Sequence, residues 1–150
     1  MRVVIQRVAQ ASVSINGVLH SKIDKGLLIL LGIEQNDTST DADKLLGKIA
    51  KMRIFNDTEG KMNLSAEDIG GEYLVVSQFT LCADTKKGNR PSFIRSARPE
   101  TAIPLYEYFL KKLQNDIGAV VKSGVFGADM QVELTNSGPV TIIMDSKIEM

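Results

Sequence analysis

The dipeptide Asn16-Gly17 constrains the fold more than any other feature of this 150-residue chain. Asn-Gly between two strand-like segments is the strongest local signal for a two-residue β-hairpin, because both turn residues need a positive φ. Residues 11–15 alternate in polarity before the dipeptide, and residues 18–23 return as the partner strand. The β-branched segment 2–8 precedes them, so strands are predicted throughout the first part of the sequence.

Two helices and a central buried strand follow the hairpin. Residues 27–33 are apolar on both faces, which is typical of a strand in the middle of a sheet. Apolar residues at helical spacing predict helices over about 41–52 and 99–114, and Thr40 with Asp43 marks the first helix start. Strand patterns also cover residues 72–83, 120–126, 130–135 and 140–145.

These elements predict an α+β fold with a single domain over residues 1–150. The sheet is expected to be mostly antiparallel, strongly curved and barrel-like, with the two helices packed against it. Residues 84–98 have no periodicity and form the longest predicted loop. Residues 136–139 (Asn-Ser-Gly-Pro) are interpreted as a turn between the last two strands.

Charge and rare residue types exclude several classes of function. Lys+Arg and Asp+Glu both number 18, so net charge gives no argument for nucleic-acid binding. One cysteine, Cys82, and one histidine, His20, cannot make an intrachain disulfide or a Cys/His zinc site. Any histidine-dependent nucleophile would have to use His20. Four acidic residues favour the dipole of the first helix and do not indicate a metal site: Glu34, Asp37, Asp41 and Asp43.

The sequence predicts a cytoplasmic protein. Residues 1–4 (Met-Arg-Val-Val) have no signal-peptide architecture. The longest apolar run, 27–33, is far shorter than the ~20 residues of a membrane span.

An uncharged polar segment ends the predicted strand 72–83. Strand geometry places Ser77 and Phe79 on one face, and Gln78 and Thr80 on the other. Hydroxyl and amide groups suit hydrogen bonding to a carbonyl, an amine or an oxyanion. The alternative is a strand end whose hydroxyls satisfy local backbone groups.

The loop 84–98 is locally basic, because five Lys and Arg side chains accompany the single carboxylate of Asp84. A basic loop directly after a polar strand end suits binding of a phosphate backbone. The alternative is an ordinary solvated loop.

Five sequence blocks carry a family resemblance. They are the opening MRVVIQRV, MRIFNDTEGKMNLS (52–65), SQFTL (77–81), KGNRPSF (87–93) and FGADMQVELTNSGPVT (126–141). In this order they resemble the D-aminoacyl-tRNA deacylases over essentially the whole chain. The resemblance implies a homodimeric, cytoplasmic hydrolase without metal or other cofactor. Such an enzyme cleaves the ester between a D-amino acid and the 3′-terminal adenosine of tRNA.

The resemblance also implies roles for individual residues. The catalytic pocket is lined by Ser77, Gln78, Phe79 and Thr80. A cis peptide that reaches into the partner subunit's active site and selects chirality is formed by Gly138 and Pro139. Arg7 braces this peptide, and the terminal adenosine lies near Phe126 and Met130. The basic loop 84–98, and not a family match, supplies the candidates for phosphate contacts to the tRNA: Lys86, Lys87 and Arg90.

Steric exclusion is the expected basis of chiral selection. The carbonyl oxygens of Gly138-Pro139 would hold the substrate's α-ammonium group, so that an L side chain collides with the peptide and a D side chain does not. Glycine has no side chain to exclude, so cleavage of glycyl-tRNA is expected. Because no base adjoins Thr80, attack by water assisted by the terminal 2′-hydroxyl is favoured over a threonine nucleophile. Backbone N–H groups around Phe79 and Thr80 would stabilise the oxyanion.

Two other classes of function stay open. A non-catalytic module for RNA ends would bind tRNA without turnover, and a hydrolase of small esters would act on substrates without RNA. The intact SQFTL and NSGPVT blocks argue against the first class, and the missing histidine base argues against the second.

Overall fold

Strand β1 (Arg2–Ile15) is the strand around which the main sheet is organised. In the computed structural model, which describes residues 1–148, it continues through Asn16 and Gly17 into the antiparallel strand β2 (Val18–Ile23). Both turn residues have a positive φ, 51° and 76°, which confirms the predicted hairpin. The first half of β1 pairs with β3 (Gly26–Gly32), also antiparallel.

The remaining strands extend this sheet on both sides, apart from one separate hairpin formed by β4 (Phe55–Asn56) and β5 (Met62–Leu64). β3 pairs in parallel with β6 (Glu72–Ser77), and β6 pairs in parallel with β7 (Val121–Ser123). β8 (Met130–Asp145) runs antiparallel to β1 on its opposite edge. The strand order is therefore β2-β1-β3-β6-β7, with β8 beside β1.

The expectation of a mostly antiparallel sheet is wrong, because two helices serve as crossover connections. α1 (Ser39–Ile49) lies between β3 and β6 in the chain, and α2 (Pro99–Ile117) lies between β6 and β7. A helical crossover returns the chain to the starting edge, so the strands it joins run parallel. The sheet is mixed and curves into a nearly closed barrel. The two predicted α-helices are both present.

The caps of the helices decide where they begin and end. Thr38, not Thr40, is the N-cap of α1, and Asp41 completes its capping box by accepting the Thr38 N–H at 2.8 Å. α2 continues to the glycine at 118, whose φ of 64° suits a residue without a Cβ atom. Within residues 1–148, no helix has the length and apolar character needed to cross a membrane.

Two apolar clusters pack on the two faces of the sheet. The larger lies between the sheet and both helices, where Ile29, Leu45 and Phe109 are fully buried. The smaller fills the opposite face and includes Val13 of β1 and Leu28 of β3. Consecutive residues of β3 thus enter different clusters, which confirms the prediction of a strand buried on both faces.

The end of β6 differs from its prediction. A strand was expected to reach residue 83, but β6 ends at Ser77 and Phe79–Cys82 form a 3-10 helix. The two-faced alternation expected for Ser77 to Thr80 is therefore absent.

The last strand also differs, because β8 is continuous where two strands and a turn were expected. Gln6 pairs with Thr141 and Val8 pairs with Asn136, so residues 137–140 bulge out opposite Arg7. Proline lacks the N–H that a regular ladder would need at this point. The bulge therefore presents residues 137–140 at the edge of the sheet without ending the strand.

Candidate active site

The carboxyl end of β6 opens into a cavity of about 270 Å³. Its wall is largely apolar, and none of the described residues that line it is charged. Five predicted site residues contribute to this wall: Ser77, Gln78, Phe79, Phe126 and Met130.

A close contact with β3 makes the chain leave the sheet after Ser77. The Gln78 N–H donates to the Leu31 carbonyl at 2.8 Å, and the Leu81 N–H turns back to the Gln78 carbonyl at 3.2 Å. A Cβ atom on Gly32 would lie 2.9 Å from Leu81 Cβ and 3.1 Å from the Gln78 carbonyl oxygen. Glycine at this position therefore lets the 3-10 helix pack directly on β3.

The 3-10 helix presents two unused backbone donors beside the cavity. The first N–H groups of a helix have no partner within it. The N–H groups of Phe79 and Thr80 also donate to no other backbone group in residues 1–148. Both residues are exposed, so this turn lies at the surface. Adjacent N–H groups of this kind bind a carbonyl oxygen or an oxyanion.

The Thr80 hydroxyl has no base beside it among the described residues. Its oxygen accepts a hydrogen bond from Gln78 Nε2. His20 is exposed on β2 and does not line the cavity. Cys82 is buried in the 3-10 helix, where burial raises the pKa of its thiol. The site therefore offers amide and hydroxyl groups but no group able to activate a nucleophile.

The loop 84–98 supports the 3-10 helix from outside. The Ser96 hydroxyl donates to the Phe79 carbonyl at 3.1 Å. The Phe93 ring meets the Phe79 ring edge-to-face, with 5.2 Å between the ring centroids. Neither Phe93 nor Ser96 lines the cavity, so both position Phe79 from behind it.

The predicted phosphate contacts lie on the exposed part of the same loop. Lys86, Lys87 and Arg90 are exposed and outside the cavity wall. None of them pairs with a carboxylate in the described part of the chain. Their charges are therefore available to a polyanion.

Gly138 and Pro139 lie on the exposed bulge of β8, outside the cavity wall of their own chain. The peptide bond between them is cis. Arg7, which is 9% exposed, holds the bulge through a hydrogen bond from its Nε to the Ser137 carbonyl at 2.8 Å. Its Nη1 donates to the Ile54 carbonyl at 2.7 Å. A Cβ atom on Gly138, whose φ is 126°, would lie 2.8 Å from Arg7 Nη2.

The acidic residues near α1 serve as caps and ion-pair partners. Asp37 accepts from the Met1 ammonium at 2.7 Å, and Lys147 approaches Asp41 at 3.1 Å. Asp43 accepts the Tyr108 hydroxyl at 2.7 Å. Across residues 1–148, no three side chains of His, Cys, Asp or Glu lie together in a group that could hold a metal ion.

Almost the whole chain matches one protein family. The family model described as D-Tyr-tRNA(Tyr) deacylase matches residues 4–145. The chain belongs to the D-Tyr-tRNA(Tyr) deacylase family. A D-aminoacyl-tRNA deacylase of Porphyromonas gingivalis is 62% identical over 146 residues, which cover 97% of each protein. Another, from Flavobacterium johnsoniae, is 58% identical over 147 residues and 98% of each protein. The deacylase resemblance of the five sequence blocks is confirmed.

Two solved structures share the fold of this deacylase-family chain. One, titled c-Myc DNA Unwinding Element Binding Protein, is 41% identical with a TM-score of 0.92 and covers 97% of this chain and 98% of its own. A probable eukaryotic D-amino acid tRNA deacylase is 20% identical with a TM-score of 0.82, over 96% of this chain and 98% of its own. At that identity the second likeness concerns the fold alone.

The deacylase-family chain gathers only part of the predicted site in one place. Thr80 is not part of the cavity wall, but its hydroxyl accepts a hydrogen bond from Gln78, which is. The bulge with Gly138 and Pro139, and the basic loop residues, lie apart from it. Sequence reasoning missed three positioning residues: Gly32, Phe93 and Ser96. Phe93 ends the KGNRPSF block and Gly32 lies within the apolar run 27–33, but neither position carries a chemical signal of its own.

Proposed function

We propose that this protein is a hydrolase that cleaves the ester bond between a D-amino acid and the 3′-terminal adenosine of tRNA. The products are free tRNA and the D-amino acid, and glycyl-tRNA is a second substrate. The observation that carries the proposal is the uncharged cavity at the end of β6, flanked by the free N–H groups of Phe79 and Thr80. Family membership over residues 4–145 supports the reaction class. A substrate of this kind places the enzyme in the cytoplasm.

A neutral site suits this reaction because an aminoacyl ester is already reactive. Water attacks the carbonyl carbon while the N–H groups of Phe79 and Thr80 bind the developing oxyanion. The 2′-hydroxyl of the terminal ribose adjoins the carbonyl and relays a proton from the water to the leaving 3′-oxygen. The ester C–O bond then breaks, and the amino acid leaves with the oxygen of the water. Thr80 acts as a positioning residue in this scheme.

Chiral selection requires a second copy of the chain. Gly138 and Pro139 are exposed and held by Arg7, and they contribute nothing to their own cavity. Among the described residues, the 16-residue strand β8 pairs only with β1, so its other edge is open. In the homodimer, Gly138-Pro139 of one protomer enters its partner's cavity. The backbone carbonyls hold the substrate's α-ammonium group there, and an L side chain collides with the peptide.

Few contacts hold the tRNA end. The exposed side chains of Lys86, Lys87 and Arg90 meet phosphates next to the acceptor terminus. Phe126 is half-buried against Tyr106, with 5.8 Å between the ring centroids, and packs with Met130 against the terminal adenine. Because an enzyme that reads mainly the acceptor end makes few phosphate contacts, its affinity for tRNA is expected to depend only modestly on salt.

A matched deacylation assay tests the proposal. D-Tyr-tRNA, L-Tyr-tRNA and Gly-tRNA are each incubated with the protein in the presence of EDTA, and the release of each amino acid is followed. We expect rapid loss of D-tyrosine and glycine, with L-tyrosine spared. Equal rates on the D and L substrates would contradict the role of Gly138-Pro139.

The same assay separates the two other classes of function. Binding of all three tRNAs without turnover would indicate a non-catalytic module for RNA ends. Turnover of small esters that carry no RNA, with all three tRNAs left intact, would indicate an unrelated ester hydrolase.

A further inference from the structure

The hairpin formed by β4 and β5 has no role in the site described above, although it lies within the sequence block 52–65. It is anchored by Phe55, which is fully buried in the main core. The residue before this anchor, Ile54, gives its carbonyl oxygen to Arg7 Nη1 at 2.7 Å, in a buried hydrogen bond. The hairpin therefore contacts the side chain that holds the bulge of β8.

Three polar side chains join the two strands of the hairpin, and we name them the clasp: Arg53, Asp57 and Asn63. Arg53 donates through Nε to the Asn63 carbonyl at 2.9 Å and through Nη2 to Asn63 Oδ1 at 2.8 Å. Asn63 Nδ2 donates to Asp57 Oδ2 at 2.8 Å. The clasp thus ties the residues on both sides of Ile54 in the chain, Arg53 and Asp57, to Asn63 on the other strand.

Asp57 also holds the tip of the hairpin. Its second carboxylate oxygen accepts the N–H groups of Glu59 at 2.9 Å and Lys61 at 3.0 Å. The hydrogen bond from Asn63 and those from the backbone lower the pKa of Asp57, so the carboxylate stays charged at neutral pH. A two-stranded hairpin is marginal on its own, and these bonds give it one defined shape.

Arg7 connects the hairpin to the bulge of β8. Its planar guanidinium spans two backbone acceptors, the Ile54 carbonyl at 2.7 Å and the Ser137 carbonyl at 2.8 Å. Its Nη2 lies 2.8 Å from the place of a Cβ atom on Gly138. A shift of the Ile54 carbonyl therefore turns the guanidinium and moves the backbone at Ser137 and Gly138.

We propose that the clasp is a positioning device for chiral selection, acting through Ile54 and Arg7 on Gly138-Pro139. The clasp is outside the cavity wall and touches no reacting atom, so its three members are positioning residues. The proposal rests on the proposed function, because Gly138-Pro139 must select chirality for the clasp to affect it. A purely structural hairpin would, when weakened, lower stability and slow all substrates alike.

The first test is Asn63→Ala, which removes the side-chain bonds to both Arg53 and Asp57. A loosened Gly138-Pro139 holds the α-ammonium group less well and excludes the L side chain less well. We expect the ratio of kcat/KM for D-Tyr-tRNA to that for L-Tyr-tRNA to fall by roughly tenfold. The melting temperature is measured alongside. An unchanged ratio would overturn the proposal, whatever happens to stability.

A matched control lies in the same hairpin. The Glu59 side chain is 75% exposed, and its ion-pair contact is with Lys61 at 3.9 Å. Glu59→Gln alters the charge of the hairpin tip and leaves the clasp in place, so the D-to-L ratio should equal that of the wild type. A similar fall in Glu59→Gln and Asn63→Ala would overturn the proposal, because the effect would not be specific to the clasp.

The second test asks whether the clasp acts through Arg7. Arg7→Lys keeps the charge but cannot span both carbonyls. If the path is correct, adding Asn63→Ala to Arg7→Lys lowers the D-to-L ratio by no more than about twofold. Fully multiplicative effects of the two substitutions would overturn the path. Failure of the proposed function is distinguishable, since the wild type would then show no preference for D-Tyr-tRNA.

Discussion

Gly32 and Gly138 each lie against a neighbour that a single added carbon would strike, Leu81 in one case and Arg7 in the other. The first glycine sets the path of the 3-10 helix, and the second sets the path of the bulge. The functional groups in these two segments are backbone groups: N–H groups in the 3-10 helix and carbonyl groups in the bulge. At the residue scale, substitution of Gly32 or Gly138 is therefore expected to cost more activity than removal of the Thr80 hydroxyl.

Gly32→Ala tests the contact between the 3-10 helix and β3. The new Cβ would come within 2.9 Å of Leu81 Cβ, so the helix must move and carry the N–H groups of Phe79 and Thr80 with it. We expect kcat/KM on D-Tyr-tRNA to fall about tenfold and the free energy of unfolding to fall by ~1–3 kcal/mol. Gly47→Ala is the control, since nothing lies within 4 Å of its Cβ position in α1. It should raise stability by about 1 kcal/mol and leave activity unchanged.

Thr80→Ala tests the absence of a protein nucleophile. Because the hydroxyl has no base beside it among the described residues, we expect single-turnover rates on D-Tyr-tRNA within about tenfold of the wild type. A substrate with a 2′-deoxy terminal adenosine should be slow with both proteins. A loss of more than about 10³-fold, or ~4 kcal/mol, with unchanged tRNA binding would identify Thr80 as the nucleophile.

At the scale of elements, the start of α1 depends on a charged cap. Asp41 accepts the Thr38 N–H at 2.8 Å and the Ser146 hydroxyl at 2.7 Å. Burial alone would raise the pKa of Asp41, but these hydrogen bonds and Lys147 lower it from 3.8 to about 2. Since the folded value lies below the unfolded one, the carboxylate stabilises the fold above about pH 4. That stabilisation is lost as the pH falls toward 2.

Asp41→Asn removes this titration and keeps an acceptor for the Thr38 N–H. Denaturant unfolding is measured from pH 6 to pH 2 for both proteins. The stability advantage of the wild type should shrink by about 2 kcal/mol over this range. Asp24→Asn, at an exposed turn, is the control and should follow the wild-type curve. A constant difference between the wild type and Asp41→Asn would contradict the role of the cap.

Local patterns predicted the elements whose causes are local. Asn16-Gly17 marked its hairpin because a positive φ is a property of the turn residues themselves. The parallel pairing of β3 with β6 was missed, because the crossover through α1 leaves no pattern in either strand. Strand alternation continued through Ser77 to Thr80 in the sequence. The contact of Gly32 with Leu81, from another part of the chain, ends it in the structure.

The candidate site was predictable through the family blocks more than through residue chemistry. SQFTL and the final block placed Ser77, Gln78 and Phe126 at one site, and the cavity brings these residues together. Physical reasoning alone reached an uncharged polar segment beside a basic loop. The bulge was interpreted as a turn, since Arg7, which holds it, is 130 positions away from Ser137.

At the scale of the whole molecule, the two halves of the proposed site do not meet within one chain. The cavity lies at the end of β6, and Gly138-Pro139 lies on the exposed edge of β8. Each half is held by its own contacts, Ser96 with Phe93 for the first and Arg7 for the second. In the proposed function, a complete site therefore needs two protomers, each of which supplies one half to the other.

Mixing two inactive variants tests this exchange. Phe79→Asp adds a carboxylate to the cavity wall, where its charge would oppose the oxyanion of the proposed mechanism, and Gly138→Val would drive a side chain toward Arg7 Nη2. In a heterodimer of the two, one cavity is intact and meets an intact Gly138-Pro139. Random reassociation should restore about a quarter of wild-type activity. Heterodimers that are seen by native mass spectrometry but show no activity would contradict a cross-subunit site.

The uncharged cavity also decides which inhibitors can work. The described residues of its wall include no charged group, and the single thiol, Cys82, is fully buried. Electrophilic warheads that trap serine or cysteine hydrolases find no activated atom to alkylate or acylate there. An effective inhibitor must be a reversible mimic, such as an adenosine that carries a D-amino acid through an amide. Its potency would come from the fit to main-chain N–H and carbonyl groups.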